Sequence, residues 1–167
     1  MRIGILSDSH GDEDALRELV SEMGRLDALC FLGDVSDDAR FLEELLWQRG
    51  GQTALYAVKG NNDFYTQEPE EIVVTLGGKR ILMVHGHRHG VKQGLLRLSL
   101  YAQQKGADVV LFGHTHMAHV SGDGGMLLIN PGAAGKGFWA SQPPSGAVLC
   151  IEEDGGMSVS EVTLKLK

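Results

Sequence analysis

The sequence predicts a mixed α/β fold in which two stacked sheets are flanked by helices. Two observations lead to this prediction. Apolar, strand-like runs alternate with amphipathic helical patterns at the start of the chain, and strand-like runs dominate the rest. The total of about ten strands is high for one open sheet, so two sheets packed face to face, with helices outside, fit the pattern better.

The opening of the chain reads as β-α-β-α-β. Residues 2–7, 28–32 and 54–58 are short apolar runs with the composition of buried strands. Between these runs, apolar residues recur at helical spacing: Leu16, Leu19, Val20 and Met23 in one segment, and Leu42, Leu45 and Leu46 in the next. Gly50-Gly51 ends the second helix. This order implies parallel strands that are joined by crossover helices.

The second half of the chain is richer in strands. Residues 72–76 and 80–84 flank Gly77-Gly78, which is a strong hairpin signal. A third helix is predicted from the spacing of Val91, Leu95, Leu98 and Ala102, and a buried strand from residues 109–112. The remaining strands are predicted to form an antiparallel meander: residues 119–121, 126–129, 147–151 and 159–164. No linker interrupts the series, so a single domain over residues 1–167 is expected.

The composition excludes several classes of function. The chain has 167 residues, of which 43% are apolar and 22% are charged, with a net charge of −7 and a pI near 5.4. An acidic balance without a basic tract argues against nucleic acid as a partner. No apolar run reaches the length that spans a membrane, so no membrane partner is expected.

The two cysteines indicate a reducing cellular compartment. Cys30 and Cys150 lie in apolar runs and are expected to be free thiols in a reducing environment. Residues 2–7 already read as a core strand, and no secretory leader is recognisable before them. A cytoplasmic location is therefore expected.

Short polar motifs follow the apolar strands and together offer seven groups that can bind a metal: Asp8, His10, Asp34, Asn61, His85, His114 and His116. Open α/β sheets bind ligands at the carboxyl ends of their strands. In extended backbone, residues i and i+2 point to the same side, as expected for Asp8/His10 and His114/His116. These ligand types suit Mn²⁺, Fe²⁺, Zn²⁺ or Ni²⁺, and seven groups suit two ions that share a carboxylate.

Each motif has a structural interpretation when it stands alone. Asp8 can cap a helix, and a Gly-Asp pair after a strand is commonly a turn. Ser9, which lies between two of the groups, is expected to face away from the metals. Five such motifs after successive strands nevertheless indicate a metal site.

The motifs also carry a family resemblance. The series Asp8-x-His10, Gly33-Asp34, Gly60-Asn61-x-Asp63, His85-Gly86 and Gly113-His114-x-His116 resembles the calcineurin-like metallophosphoesterase superfamily. The short length and the Gly-Asn-Asn-Asp form are similar to its small bacterial and archaeal phosphodiesterase branch. The resemblance implies a four-layer α/β/β/α sandwich of two stacked mixed sheets flanked by helices.

The resemblance further implies two divalent metal ions as cofactors. Manganese is expected first, and nickel, zinc, iron and magnesium are also compatible with the ligands. Carried over by motif, the two ligand sets are Asp8, His10 and His116 for one ion, and Asn61, His85 and His114 for the other. Asp34 is implied to bridge the two ions.

The activity implied by the resemblance is hydrolysis of a small phosphodiester by a hydroxide that bridges the metals. The catalytic residues would be Asp34, Asn61, Asn62 and His85. Many members carry a histidine where this chain has Asn62. An amide donates a hydrogen bond to a phosphoryl oxygen but does not act as a general acid. Aryl phosphodiesters, whose leaving group needs no protonation, are therefore expected to be better substrates than alkyl phosphomonoesters.

The same fold is compatible with functions other than diester hydrolysis. A eukaryotic relative, a retromer subunit, keeps the fold as a non-catalytic scaffold with a degraded metal site, whereas all seven positions here hold competent ligands. Phosphomonoesterase activity and nuclease activity also stay open. Four aromatic residues near the motif loops either form a wall for a nucleobase or pack against a second subunit in a homodimer or tetramer: Phe64, Tyr65, Phe138 and Trp139.

Overall fold

Ten strands and three α-helices make up the fold in this computed structural model, which describes residues 1–35, 37–136 and 142–165. The strands are β1 (Arg2–Leu6), β2 (Ala28–Phe31), β3 (Ala54–Ala57), β4 (Glu71–Leu76), β5 (Lys79–Val84), β6 (Val109–Leu111), β7 (Ala118–Asp123), β8 (Met126–Pro131), β9 (Ser145–Ile151) and β10 (Met157–Thr163). The helices are α1 (Glu13–Met23), α2 (Asp37–Gln48) and α3 (Leu96–Gln104), and a 3₁₀ helix covers His87–His89.

The strands form two five-stranded mixed sheets. The first has the order β10-β9-β1-β2-β3, and the second has the order β4-β5-β6-β8-β7. In the first sheet β1, β2 and β3 are parallel, and β9 and β10 continue it with antiparallel pairing. Because α1 and α2 connect the three parallel strands, the predicted β-α-β-α-β opening is confirmed.

The second sheet begins with the predicted hairpin. Strands β4 and β5 pair antiparallel around Gly77 and Gly78, whose φ angles of 56° and 77° both lie in the left-handed region. Two successive positive φ angles are what a type I′ turn requires, and glycine adopts them without a steric penalty. Strands β5, β6 and β8 are parallel, and β7 pairs antiparallel with β8 at the edge.

The predicted meander at the end of the chain is wrong, because its strands are divided between the two sheets. The β7–β8 hairpin belongs to the second sheet, whereas β9 and β10 lie in the first sheet beside β1. In addition, β8 pairs in parallel with β6. Turn residues predict which consecutive strands form a hairpin. They carry no information about the distant strand on which that hairpin docks.

The third helix begins later than its apolar spacing predicts. Val91 and Leu95 both precede α3, and the chain around them contains Gly90 and Gly94 with φ angles of 62° and 138°. Positive φ is incompatible with continuous α-helix, so the helix starts only after the second glycine. Val91 is buried instead against the backbone of Gly86.

Alternation along the strands produces three apolar layers. In β2, Cys30 faces the space between the sheets and Phe31 faces the α1/α2 side. In β5, Met83 faces the space between the sheets and Val84 faces α3. Successive residues of a strand point to opposite faces, so each sheet is covered on both sides. The resulting order of helices, sheet, sheet and helix confirms the predicted four-layer sandwich.

Three further expectations concern the whole chain. Both cysteines are free thiols, with Cys30 buried and Cys150 half-buried. Among the described residues, no helix combines the length and the apolar character needed to cross a membrane. The single-domain boundary at residues 1–167 stays a prediction.

Candidate metal centre

The seven predicted ligands all follow the carboxyl ends of parallel strands. Asp8 and His10 follow β1, Asp34 follows β2, and Asn61 follows β3. In the second sheet, His85 directly follows β5, and His114 and His116 follow β6. The two sheets thus bring loops from five strands to one region, as expected for ligand binding at strand ends.

Five of these residues have left-handed backbone: Asp8, His10, Asp34, His114 and His116, with φ between 50° and 67°. In the described part of the chain, they are the non-glycine residues with positive φ. The extended geometry expected for Asp8/His10 and His114/His116 is therefore wrong, because each strand ends before its motif begins. Left-handed backbone at non-glycine residues persists only where the surroundings enforce it, as functional sites do.

The first cluster contains Asp8, His10 and His116, whose ligand atoms lie within 4.8 Å of one another. His116 Nε2 is 3.1 Å from Asp8 Oδ1 and 3.3 Å from His10 Nε2. The family resemblance assigns the same three residues to one ion. One carboxylate with two imidazoles suits a first-row divalent cation.

The second cluster is centred on His85 Nε2. This atom lies 3.1 Å from Asn61 Oδ1 and 3.2 Å from His114 Nδ1. Two carboxylates complete the group, with Asp34 Oδ2 at 3.8 Å and Asp8 Oδ1 at 3.9 Å. Asp8 therefore belongs to both clusters, while the bridging role of Asp34 stays a prediction.

Asp8 provides the test of whether a cation fits between the clusters. Its Oδ2 accepts hydrogen bonds from Ser7 Oγ at 2.6 Å and from the His114 backbone N–H at 2.9 Å. Its Oδ1 is buried, and among the described residues no hydrogen-bond donor is aligned with it. A buried carboxylate oxygen without a donor is costly unless a charge compensates it. A divalent cation would satisfy this oxygen and the neighbouring imidazole nitrogens together.

The Nδ1 atom of His85 fixes which ring nitrogen of this residue is free to bind a metal. The Nδ1 atom lies 2.8 Å from the Leu32 carbonyl oxygen. A carbonyl oxygen only accepts hydrogen bonds, so Nδ1 carries the proton and Nε2 presents its lone pair to the second cluster. Contacts of this kind fix the tautomer and orientation of metal-binding histidines.

The clustered side chains differ in their affinity for protons. Burial and the neighbouring His85 lower the pKa of His114 to about 4, so this imidazole is neutral at neutral pH. The contact with Asp8 raises the pKa of His116 above its ordinary value. Burial opposes ionisation of Asp8, but the contacts with His116, His85 and Ser7 outweigh it and lower the Asp8 pKa. Asp8 is therefore ionised at neutral pH, as metal binding requires.

Asp34 is held by the loop that follows β3. The backbone N–H of Asn62 donates to Asp34 Oδ1 at 2.9 Å, and Asn62 Nδ2 donates to Asp34 Oδ2 at 2.8 Å. The backbone N–H of Asp34 in turn donates to Asp63 Oδ2 at 2.9 Å. The expected contact between Asn62 and a phosphoryl oxygen stays a prediction, because here the amide faces a carboxylate.

Sequence reasoning missed the two buried carboxylates that hold the ligand loops. Asp63 anchors Asp34, and Asp38 in α2 accepts hydrogen bonds from Ser9 Oγ at 2.5 Å and from the Gly11 N–H at 3.0 Å. Ser9 therefore faces away from the clusters, as predicted. The motif position of Asp63 was a usable signal. Asp38 offered no signal, because a charged residue in a helix is usually exposed.

Several groups surround the clusters. The His87 ring lies 5.4 Å from the ring of His85 and 6.1 Å from that of His114, measured between centroids. Phe64 and Tyr65 are exposed on the loop after β3. Phe138 and Trp139 lie outside the described residues. The aromatic wall and the subunit contact therefore both stay predictions.

Comparison with known proteins places this arrangement in a family. A model of the calcineurin-like phosphoesterase superfamily domain matches residues 1–154. The chain belongs to this superfamily. The probable metallophosphoesterase YsnB of Bacillus subtilis is 37% identical over 155 residues, which cover 92% of this chain and 86% of YsnB.

Solved structures agree with this assignment. A predicted phosphoesterase from Streptococcus pneumoniae matches with a TM-score of 0.79 and 30% identity, over 97% of this chain and 88% of that chain. A structure described as a novel archaeal phosphodiesterase has a TM-score of 0.72 at 22% identity, over 98% of this chain and all of the other, and shares the fold. Membership of the calcineurin-like superfamily supports a hydrolase that acts on phosphoester bonds, with a candidate Asp/His metal site.

Proposed function

We propose that this calcineurin-like protein is a phosphodiesterase that depends on two divalent metal ions. The observation that carries the proposal is the position of Asp8 Oδ1. This oxygen is buried, has no aligned donor among the described residues, and lies 3.1 Å from His116 Nε2 and 3.9 Å from His85 Nε2. Buried carboxylate oxygens usually have a donor. Asp63 Oδ1 is a second unpaired oxygen among the described residues, and Asp8 Oδ1 is distinguished by the two imidazole nitrogens beside it. An oxygen left for a cation, between two imidazoles, supports a working metal centre.

The proposed ligand sets are those implied by the family motifs, and Asp8 in addition lies near His85 of the second cluster. Asp8, His10 and His116 would hold one ion, Asn61, His85 and His114 would hold the other, and Asp34 would be shared by both. Two ions would supply the positive charge that stabilises both the attacking and the leaving oxygen of an in-line displacement at phosphorus. The protein contributes fixed ligand geometry through the His85 contact with Leu32 and the anchoring of Asp8 by Ser7.

The preference for diesters rests on the surroundings of Asn62. Its side-chain amide is directed at Asp34 and has no acidic proton, so it does not protonate a departing alkoxide. Substrates with acidic leaving groups avoid this need. The fold shared with an archaeal phosphodiesterase supports the same substrate class. Cytoplasmic location, manganese as the native ion and a homodimer or tetramer belong to this proposal as expectations from the sequence.

A screen of metals and substrates tests the proposal. Protein stripped of metal is titrated with Mn²⁺, Ni²⁺, Zn²⁺ and Mg²⁺, and release of p-nitrophenol is measured from bis(p-nitrophenyl) phosphate and from p-nitrophenyl phosphate. We expect turnover only with added metal and faster turnover of the diester. Faster hydrolysis of the monoester would instead favour a phosphomonoesterase. Metal binding without turnover of either ester would favour a scaffold.

Two histidine variants, one in the second cluster and one outside both clusters, test whether the activity depends on the proposed metal centre. His85→Asn should lose diester turnover, because the second cluster is centred on His85 Nε2. His119→Asn is the control, since His119 is exposed on β7 and bonds to Ser121 rather than to the clusters. Equal activity of the two variants would contradict the proposed centre.

A further inference from the structure

Asn62 makes two hydrogen bonds to one carboxylate. Its backbone N–H donates to Asp34 Oδ1 and its side-chain Nδ2 donates to Asp34 Oδ2, at 2.9 Å and 2.8 Å. The orientation of the side-chain amide is unambiguous, because a carboxylate only accepts hydrogen bonds and must face the NH₂ group. One residue therefore supplies a donor to each oxygen of Asp34, which restrains the plane of that carboxylate.

The backbone around this pair is also tightly fixed. Asp63 Oδ2 accepts hydrogen bonds from the N–H groups of both Asp34 and Gly60, at 2.9 Å and 2.6 Å. A Cβ atom added to Gly60 would lie 2.2 Å from Asp34 Oδ1, so the two loops touch at this point. The loop that carries Asn62 therefore has little freedom relative to Asp34, and the two-point contact is a consequence of that fit.

We infer that Asn62 is a positioning residue that orients the Asp34 carboxylate for metal binding, rather than a group that contacts the phosphoryl oxygens. Each carboxylate oxygen has two lone-pair directions, so a donor on one direction leaves the other directed elsewhere. Asp34 Oδ2 is also 3.8 Å from His85 Nε2, at the second cluster. The role in metal binding rests on the proposed two-metal centre.

Asn62 in the Gly60-Asn61-Asn62-Asp63 motif then has a role that differs from that of a substrate-binding residue. The Asn62 amide does not replace, in contact with the substrate, the histidine that many members have at this position. It acts through Asp34, which makes metal affinity, rather than substrate affinity, the property that depends on position 62. Partners that hydrogen-bond to metal ligands typically change metal affinity or activity by about 10- to 100-fold when removed.

Calorimetric titration of the metal-free protein with Mn²⁺ provides the test, with three variants. Asn62→Leu keeps the size of the side chain and removes the donor, and we expect at least about tenfold weaker binding of one ion. Asn62→Gln keeps the donor and should recover part of that affinity. Gln67→Leu is the matched control, because Gln67 is exposed on the same loop, and it should bind Mn²⁺ like the wild type. At saturating metal, the KM of Asn62→Leu for the diester should stay near the wild-type value.

The opposite pattern would overturn the inference. Unchanged Mn²⁺ affinity in Asn62→Leu together with a raised KM would show that Asn62 contacts the substrate. If diester turnover is present but Mn²⁺ affinity is independent of position 62, the inference fails and the proposed function stands. If the protein binds Mn²⁺ with an affinity that depends on Asn62 but cleaves no ester, the proposed function fails and the inference stands.

A second measurement does not depend on how the variants fold. In the metal-free wild-type protein, one Asn62 side-chain proton should exchange more slowly with solvent than the side-chain protons of the exposed Gln67. Side-chain amide NMR spectra report both residues in one sample. Equal, fast exchange at Asn62 and Gln67 would overturn the two-point contact itself.

Discussion

At the scale of single residues, the metal centre combines strained backbone angles with a carboxylate oxygen that is costly to bury. Five predicted ligands have positive φ, and Asp8 has a buried oxygen for which no described residue supplies a donor. Such features are costly, so they persist only where neighbouring contacts enforce them. Ser7, Asp38 and Asp63 provide those contacts through hydrogen bonds to the ligand loops.

Replacement of the proposed bridging residue should be severe. Asp34→Asn removes a negative charge that would lie between the two cations, and it places an amide opposite the amide of Asn62. We expect diester turnover to fall by more than about 100-fold, beyond the usual effect of an outer partner, together with weaker binding of both ions. Turnover is followed with bis(p-nitrophenyl) phosphate and binding by calorimetry. The exposed Asp123→Asn variant is the control, and wild-type turnover in Asp34→Asn would rule out the bridging role.

As the pH falls, His116 in the first cluster should be protonated, and should lose its metal, before His114 is protonated. A raised pKa means that His116 takes a proton at a higher pH than a free imidazole, whereas His114 stays neutral until about pH 4. Protons compete with metal for the same nitrogen lone pairs. As the pH falls from about 7.5 to about 5.5, through the ordinary histidine range, we therefore expect Mn²⁺ affinity to fall. Ring-nitrogen NMR of the metal-free protein checks the order, and protonation of His114 before His116 would contradict it.

At the scale of elements, the centre requires strand ends that approach each other closely. The turns after β2 and β3 meet where a Cβ on Gly33 would lie 2.3 Å from the Gly60 nitrogen. Real Cβ atoms do not come so near to backbone, so glycine is needed for the contact rather than for chain flexibility. This packing joins the loop of Asp34 to the loop of Asn61 and Asn62.

A methyl group at this junction should disturb both stability and metal binding. In Gly60→Ala, the new Cβ would lie 2.6 Å from the Asp34 nitrogen, so the two loops must separate. Overpacking of this kind typically costs about 1–3 kcal/mol of unfolding free energy. Gly122→Ala is the matched control, because a Cβ there meets no atom of the described residues within 4 Å. Urea denaturation compares the two variants, and equal unfolding free energies would show that the junction tolerates a side chain.

At the scale of the whole molecule, the two sheets enclose an apolar layer that holds the centre at one end. Cys30 lies in this layer with no exposed surface, and burial raises the pKa of its thiol to about 12. The thiolate is the reactive form, so Cys30 should be inert while the sheets stay packed. Cys150 is half-buried on the other face of the first sheet, against the core beneath α1 and α2, and lies beside Arg2.

Thiol labelling should therefore report opening of the sandwich. We expect a disulfide reagent to modify Cys150 in the folded protein, and to modify Cys30 only at the rate at which the sheets separate. The Cys150→Ser variant isolates the Cys30 reaction, and mass spectrometry follows it across urea concentrations. Rapid labelling of Cys30 in the absence of urea would contradict a closed layer between the sheets.

The sequence by itself determined the features that depend on neighbouring residues. Gly77-Gly78 marked a hairpin, apolar spacing marked α1 and α2, and the five motifs marked the family. Each of these signals lies within a short stretch of chain, where local backbone preference and side-chain alternation operate. The four-layer order followed from the family resemblance and from the number of strands.

Tertiary structure alone decided the features that join distant segments. It placed the β9–β10 hairpin beside β1, and it placed Asp8 within reach of both clusters. It also brought Asn62 into contact with Asp34, which lies 28 residues away in the sequence. It also replaced the expected extended backbone at Asp8 and His10 with left-handed turns. These outcomes depend on which loops meet after the sheets pack, and that choice is made by long-range contacts that no local pattern contains.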